Sequence, residues 1–240
     1  MKKYLFSRML IMVIFPMLAL SSVTFAQQQP QTPPQGGRMG GGMGADPDRV
    51  VEGGGVFPAG WSVRTDADRR TGAEPPASQV VFQAKGDGFH TTLGPASTFY
   101  NPAWTKTGDL KFSARLTQLK KPTHQIAYGI YIGGSDLAGP DQAYTYFMVR
   151  NTGEYLIKTR KGKETPVIEN WTVNDVVVKE DANGRQQNVL GVEVKGNDVI
   201  FSINGKEVAR KAKADLPTDG LYGFRVDHNL DVDIDQIQRN

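Results

Sequence analysis

Cysteine is absent from the 240 residues, and its absence removes several classes of function. The chain has no thiol nucleophile, no thiolate metal site, no redox-active dithiol and no cysteine that could carry a lipid anchor. Disulfides are excluded as well, so the folded part must be stabilised by an ordinary hydrophobic core. The sequence also has no Gly-x-Ser-x-Gly elbow, no phosphate-binding loop and no His/Glu spacing typical of a zinc site.

A net charge of one sign is also missing from most of the chain. There are 28 Lys and Arg residues against 25 Asp and Glu residues, a formal charge of +3. Three of the basic residues, Lys2, Lys3 and Arg8, lie in the first 26 residues, which contain no acid, so the remainder is neutral. Basic residues are dispersed along it, whereas nucleic-acid binding needs them clustered on one face. We therefore predict no nucleic-acid partner.

The beginning of the chain has the pattern of a secretory signal peptide, Met1–Ala26. A positive start is followed by the apolar run Met9–Leu20, which Pro16 interrupts, and by small residues before Ala26. This run is shorter than the roughly 20 residues that a membrane span needs. The alternative is an uncleaved membrane anchor. We predict an exported protein, periplasmic or secreted, with no membrane span after cleavage.

Two further regions follow the predicted signal peptide. Gln27–Ala45 consists mainly of Pro, Gln and Gly with almost no bulky apolar side chain, so we predict a disordered linker. Residues 46–240 form a stretch long enough for a single β-sandwich domain.

In this predicted domain hydrophobic residues recur with a period of two, which is typical of strands with one buried face. Asp109–Gln118 places Leu, Phe, Ala and Leu on one face, and Leu230–Ile237 alternates apolar residues with aspartates. Turn residues separate such runs, most clearly Asn204-Gly205, a pair suited to a two-residue hairpin. No stretch of a dozen residues has a helical stripe. These patterns predict an all-β jelly roll or sandwich.

Four segments resemble a known family: Thr107–Phe112, Ile126–Gly134, Asn188–Val208 and Gly220–Val226. Their order over roughly 61–238 is similar to the concanavalin A-like lectin/glucanase sandwich and, within it, to the 3-keto-disaccharide hydrolase (DUF1080) domain. The resemblance implies a jelly-roll β-sandwich of two antiparallel sheets and an activity on oxidised disaccharides. The Glu-x-Asp-x-x-Glu signature of the glucanases in this fold is absent.

A ligand-binding face is predicted on the strand Gln142–Asn151. Tyr144, Tyr146, Met148 and Arg150 share one face of it, and Arg225 alternates with apolar residues in the same way on a later strand. The resemblance implies that sugars bind the concave sheet, where tyrosines would offer apolar area and a hydroxyl. The alternative is that the tyrosines pack on each other or under a loop.

Carboxylates are the candidate catalytic groups. Asp231, Asp233 and Asp235 share one strand face about 7 Å apart, near the separation found in inverting glycosidases. A calcium site and a solvated face that discourages edge pairing are the other interpretations. Asp227 lies beside His228, although neighbours on a strand point to opposite faces.

Three functions therefore stay open. The first is a module that binds carbohydrate through Tyr144, Tyr146, Arg150 and Arg225. The second is a hydrolase of 3-keto-disaccharides in which Asp227 or Asp231 acts in acid–base catalysis. The third is a structural or protein-binding module of the cell envelope. No cofactor is required by any of them, and calcium is the one metal considered.

Overall fold

The structure is a computed structural model that describes residues 47–68 and 71–240. The predicted signal peptide Met1–Ala26 and linker Gln27–Ala45 lie outside these ranges. Among the described residues, no helix is both long and apolar enough to cross a membrane.

The described residues form fifteen strands and two short 3-10 helices, Ala77–Gln79 and Lys213–Asp215. The strands are β1 Ser62–Thr65, β2 Val80–Lys85, β3 Gly88–Leu93, β4 Ser97–Tyr100, β5 Thr105–Lys106, β6 Leu110–Gln118, β7 Ala127–Ser135, β8 Ala143–Arg150, β9 Glu154–Lys161, β10 Val167–Val173, β11 Gln186–Lys195, β12 Asp198–Ile203, β13 Lys206–Ala212, β14 Gly220–Val226 and β15 Asp231–Arg239.

These strands pair into two antiparallel sheets. The eight-stranded sheet has the order β1-β4-β14-β7-β8-β9-β10, with β5 paired to β14, and the seven-stranded sheet has the order β13-β12-β11-β6-β15-β3-β2. The C-terminal strands β14 and β15 are inserted between strands from much earlier in the chain, one in each sheet. The prediction of an all-β jelly-roll sandwich of two antiparallel sheets is confirmed.

The main core lies between the sheets and follows the predicted alternation. Leu110, Phe112, Ala114 and Leu116 of β6 are all buried in it, whereas Lys111 between them is exposed. Burying each large apolar side chain contributes about 1.5–3 kcal/mol. Aromatic rings fill one end of this core, in contact at centroid distances from 4.5 to 6.2 Å: Trp61, Phe82, Phe89, Phe99, Trp104, Phe112 and Phe224.

The Asn204-Gly205 pair joins β12 to β13 as predicted. Asn204 has φ 51° and Gly205 has φ 79°, so both residues adopt the left-handed conformation that a tight two-residue hairpin requires. The Asn204 side chain also bonds to the chain before the hairpin, because its Oδ1 accepts from the N–H of Val189 at 2.8 Å.

The outer face of the eight-stranded sheet carries a second buried cluster. On β8, Phe147 and Val149 point into the main core, so Tyr144, Tyr146 and Met148 point outward. There they form what we call the tyrosine cluster, whose buried members are Ala127, Tyr131, Leu137, Tyr144, Tyr146, Met148 and Leu156.

Candidate functional site

Arg225 is the centre of a polar group on the outer face of the eight-stranded sheet. Its side chain points outward because Phe224 and Val226, its neighbours on β14, point into the main core. Arg225 is only 7% exposed. Its Nη1 donates to Thr98 Oγ1 at 3.0 Å and to the Tyr144 hydroxyl at 3.1 Å.

Asp66, just beyond the end of β1, is the negatively charged partner of this guanidinium. Arg225 Nη2 donates to Asp66 Oδ2 at 2.5 Å and Nη1 donates to Oδ1 at 3.2 Å, a bidentate pair. Burial works to raise the pKa of Asp66, but the charges of Arg225, Arg160 and Arg64 outweigh it and hold this pKa below its usual value. Asp66 therefore stays ionised at neutral pH, and the pair is charged on both sides.

The tyrosines predicted to bind ligand lie beneath this ion pair. The guanidinium carbon of Arg225 is 5.2 Å from the ring centroid of Tyr146 and 5.9 Å from that of Tyr144. Tyr144 is fully buried and Tyr146 is 6% exposed, and their centroids lie 5.6 Å apart. Burial is also the main reason that the pKa of Tyr146 rises to about 12. The rings thus pack on each other and against Arg225, and they do not form an open surface on which a ligand could stack.

The loop between β7 and β8 covers part of the tyrosine cluster. Leu137 of this loop is buried within that cluster. Arg64 fastens the loop, because its Nη1 donates to the carbonyl oxygens of Gly139 at 2.6 Å and Leu137 at 3.2 Å. At this end of the face, the tyrosines therefore lie under a loop, which is the alternative that the sequence left open.

Asp227 follows β14 directly and lies on the same side of the sheet as Arg225. Its Oδ2 accepts from the N–H of Ala127 at 3.1 Å. Burial raises the pKa of Asp227, and the nearby charge of Asp66 acts in the same direction, against the attraction of Arg225. The charge of Arg225 therefore acts on two carboxylates, Asp66 and Asp227, whose pKa values are shifted in opposite directions.

Arg150 lies apart from this group. It pairs with Glu154 across the β8–β9 turn, and its guanidinium carbon is 4.5 Å from the ring centroid of Trp171. Tyr144 and Arg150 are six residues apart on one strand, which corresponds to about 20 Å. Of the four predicted binding residues, the structure thus brings Tyr144, Tyr146 and Arg225 together and places Arg150 beside Trp171.

The three aspartates of β15 point away from the main core on the opposite, seven-stranded sheet. Each bonds to at least one Lys or Arg side chain: Asp231 to Arg49 and Lys120, Asp233 to Lys85, and Asp235 to Arg115. Asp233 also contacts the imidazole of His90. Burial opposes the shift, but bonds from Arg49 and Thr92 hold the pKa of Asp231 below its usual value. Asp231 is therefore on the other side of the sandwich from Asp227. Within the described ranges, no group of three or more His, Asp or Glu residues is placed to hold a metal ion.

Sequence reasoning missed two members of the site. Asp66 lies outside any strand, in a polar segment with no motif, and only its pairing with Arg225 marks it. Trp171 is a half-buried aromatic on β10, the last strand at one edge of its sheet. The available signal was the position of this tryptophan between the polar residues Asn170 and Thr172.

A shallow depression of about 550 Å³ lies elsewhere, lined by Val173, Asn174, Asp175, Val176 and Lys206. Its charged residues, Asp175 and Lys206, are exposed, and Val173 is 69% exposed. Exposed charges cost nothing to keep in water, whereas a buried ion pair such as Arg225–Asp66 carries a desolvation penalty. We therefore take the outer face around Arg225 as the candidate site.

Comparison with solved structures shows the fold. No protein-family model matches the sequence, and no curated protein matches it. Among solved structures, the carbohydrate-binding module CBM66 from Bacillus subtilis matches with a TM-score of 0.51 and 10% identity, over 80% of this chain and 99% of that chain. The GH16 protein of a Bacteroides ovatus mixed-linkage glucan PUL, solved with a G4G4G3G product, matches with a TM-score of 0.52 and 11% identity, over 75% and 94%. The chain thus has a jelly-roll β-sandwich fold like that of these two proteins.

Proposed function

We propose that this protein is an exported carbohydrate-binding module whose ligand contacts the outer face of the eight-stranded sheet around Arg225. The observation that carries the proposal is the buried Arg225–Asp66 pair outside the main core. An apolar pair of similar volume at such a place would often stabilise the fold as well or better. Charged pairs with shifted pKa values are concentrated at functional sites.

The surroundings of the pair suit a polyhydroxylated ligand. Guanidinium and carboxylate groups supply fixed donors and acceptors for hydroxyls, and the packed ring of Tyr146 holds the guanidinium of Arg225 in place from beneath. Arg160 and Trp171 are half-buried and extend the same face towards β9 and β10. Nε of Arg225 is buried with no acceptor among the described residues. An unpaired donor of this kind costs about 1–3 kcal/mol, which favours a functional reason for keeping Arg225.

The likeness to CBM66 supports the general class of ligand, since that protein is named a carbohydrate-binding module. Export is supported by the signal-peptide pattern of Met1–Ala26. It is tested by fractionating the native host, where we expect the protein in the periplasm or medium, shortened by the predicted peptide.

Affinity electrophoresis and a glycan array test the binding function. We expect wild-type protein to be retained by at least one polysaccharide, and Arg225→Lys to weaken retention about tenfold or more, because lysine loses the bidentate geometry. Arg115→Lys is the matched control, since Arg115 pairs with Asp235 on the opposite sheet, and its retention should equal that of wild type. Circular dichroism verifies the fold of each variant. Retention of folded wild-type protein by no glycan, or equal retention of Arg225→Lys, would overturn the proposal.

A second candidate is hydrolysis of 3-keto-disaccharides, as the family resemblance implies. The observation that favours it is that Asp66 and Asp227 act electrostatically on each other and on Arg225, so two carboxylates are available for acid–base catalysis. We expect sugar release from a 3-keto-glycoside to be lost in Asp227→Asn and retained in Asp231→Asn, because Asp231 lies on the other sheet. No release by wild-type enzyme would remove this candidate.

A further inference from the structure

Two histidines that are 104 residues apart in the sequence face each other at one end of the sandwich. His124 lies in the loop between β6 and β7, and His228 lies in the loop between β14 and β15. Their Nε2 atoms are 3.1 Å apart. The ring centroids are 5.0 Å apart and the ring planes are inclined at 60°.

The other nitrogen of each ring bonds to an oxygen. His228 Nδ1 lies 2.9 Å from Asp48 Oδ1, and His124 Nδ1 lies 3.1 Å from Thr123 Oγ1. These contacts fix the orientation of both rings and direct both Nε2 atoms to the same region. A carboxylate bonded to the far nitrogen of a histidine is the usual outer partner of a metal-binding imidazole, which it orients and makes more basic.

The distance between the two Nε2 atoms fits a shared metal ion. With metal–nitrogen bonds of about 2.0–2.1 Å, a separation of 3.1 Å corresponds to a nitrogen–metal–nitrogen angle of about 98°. This value lies between the roughly 90° of square-planar or octahedral coordination and the roughly 109° of tetrahedral coordination. Imidazoles converging on such an ion would have centroids about 4.8 Å apart, against about 5.4 Å for a collinear contact. The observed 5.0 Å is closer to the converging arrangement.

We propose that His124 and His228 form a binding site for a divalent transition-metal ion of the zinc, copper or nickel class, with Asp48 as the outer partner of His228. Imidazole suits these ions, whereas calcium and magnesium prefer oxygen ligands. No third His, Asp or Glu of the described ranges completes a metal-holding group, so the proposal assigns the two imidazoles alone as protein ligands from these ranges. His228 follows Asp227 in the chain, so this site adjoins the face that carries Arg225.

The competing arrangement is a plain hydrogen bond between the two imidazoles, in which one Nε2–H donates to the other Nε2. Metal titration separates the two arrangements. Protein purified without an affinity tag is titrated with Zn²⁺ and with Cu²⁺ by isothermal calorimetry, and one ion per chain is expected.

The third histidine of the chain provides the matched control. His90 is on β3, where it bonds Asp233 on the seven-stranded sheet. We expect His124→Ala and His228→Ala each to weaken binding at least about thirtyfold, and His90→Ala to bind like wild type. Asp48→Asn should weaken binding about 10–100-fold through His228.

The Cu²⁺ spectrum gives a readout that a structural role would not change. Electron paramagnetic resonance should show coupling to two nitrogens in wild type and in His90→Ala, and to one in His124→Gln or His228→Gln, with each fold verified by circular dichroism. An absence of stoichiometric binding, binding by His228→Ala as tight as wild type, or loss of binding in His90→Ala would each overturn the proposal.

Discussion

Replacing Asp66 by asparagine tests whether the buried guanidinium of Arg225 depends on a negative charge. The variant keeps the size of the side chain and one acceptor oxygen but removes the charge that faces Arg225 at 2.5 Å. Removing one partner of a fully buried ion pair costs about 3–5 kcal/mol, because the other charge is left uncompensated. A quarter of the Asp66 side chain is exposed to water, which reduces the loss. We expect the free energy of unfolding to fall by about 2–3 kcal/mol.

Urea denaturation followed by tryptophan fluorescence measures this loss, and a thermal scan should show a fall in Tm of about 4–12 °C. The double variant Asp66→Asn with Arg225→Met separates charge from packing. Once Arg225 is replaced by methionine, no buried positive charge is left without a negative partner. The double variant should therefore be more stable than Asp66→Asn alone. Asp235→Asn is the control. Its ion pair with Arg115 lies on a solvated face and should contribute nothing measurable to the free energy of unfolding.

The reasoning would be refuted by either of two results. One is an Asp66→Asn variant within about 0.5 kcal/mol of wild type, since buried-pair losses are several times larger. The other is a double variant whose loss of unfolding free energy equals the sum of the losses of Asp66→Asn and Arg225→Met measured singly. That result would show that the two residues act independently.

Three further predictions concern the core, the sheet and acid stability. Phe224→Ala should lower the free energy of unfolding by about 3–5 kcal/mol in urea, because its ring contacts four other aromatic rings; a loss below about 1 kcal/mol would contradict this. Gly129→Ala would place a Cβ atom 2.0 Å from a carbonyl oxygen of the neighbouring strand, so the sheet must shift. We expect the free energy of unfolding to fall by at least about 1–3 kcal/mol, and a variant as stable as wild type would contradict this. Stability should also decline as the pH falls below about 5. The folded pKa values of Asp66 and Asp231 are lowered, so their contribution is complete above the unfolded value of about 3.9 and is lost as each is protonated. Asp227, whose pKa is raised, changes stability with pH in the opposite direction. In thermal scans at a series of pH values, the Tm of Asp66→Asn should fall less steeply with decreasing pH than the Tm of wild type.

The sequence by itself determined the strands and their faces. Period-two alternation identified the buried side of β6 and divided β8 between Phe147 on one face and Tyr144 on the other. The Asn204-Gly205 hairpin followed from the same kind of information. These features depend on neighbours in the chain, because backbone conformation and side-chain direction repeat locally.

Only the tertiary structure decided which polar groups meet. Asp227 and Asp231 are near neighbours in sequence, yet β14 and β15 enter different sheets, so their carboxylates lie on opposite sides of the sandwich. Asp66 reaches Arg225 across 159 residues because β14 is inserted beside β4, which pairs with β1. His124 meets His228 because β14 also pairs with β7. The order of strands in a sheet depends on the packing of the whole chain, and no local pattern of hydrophobicity encodes it.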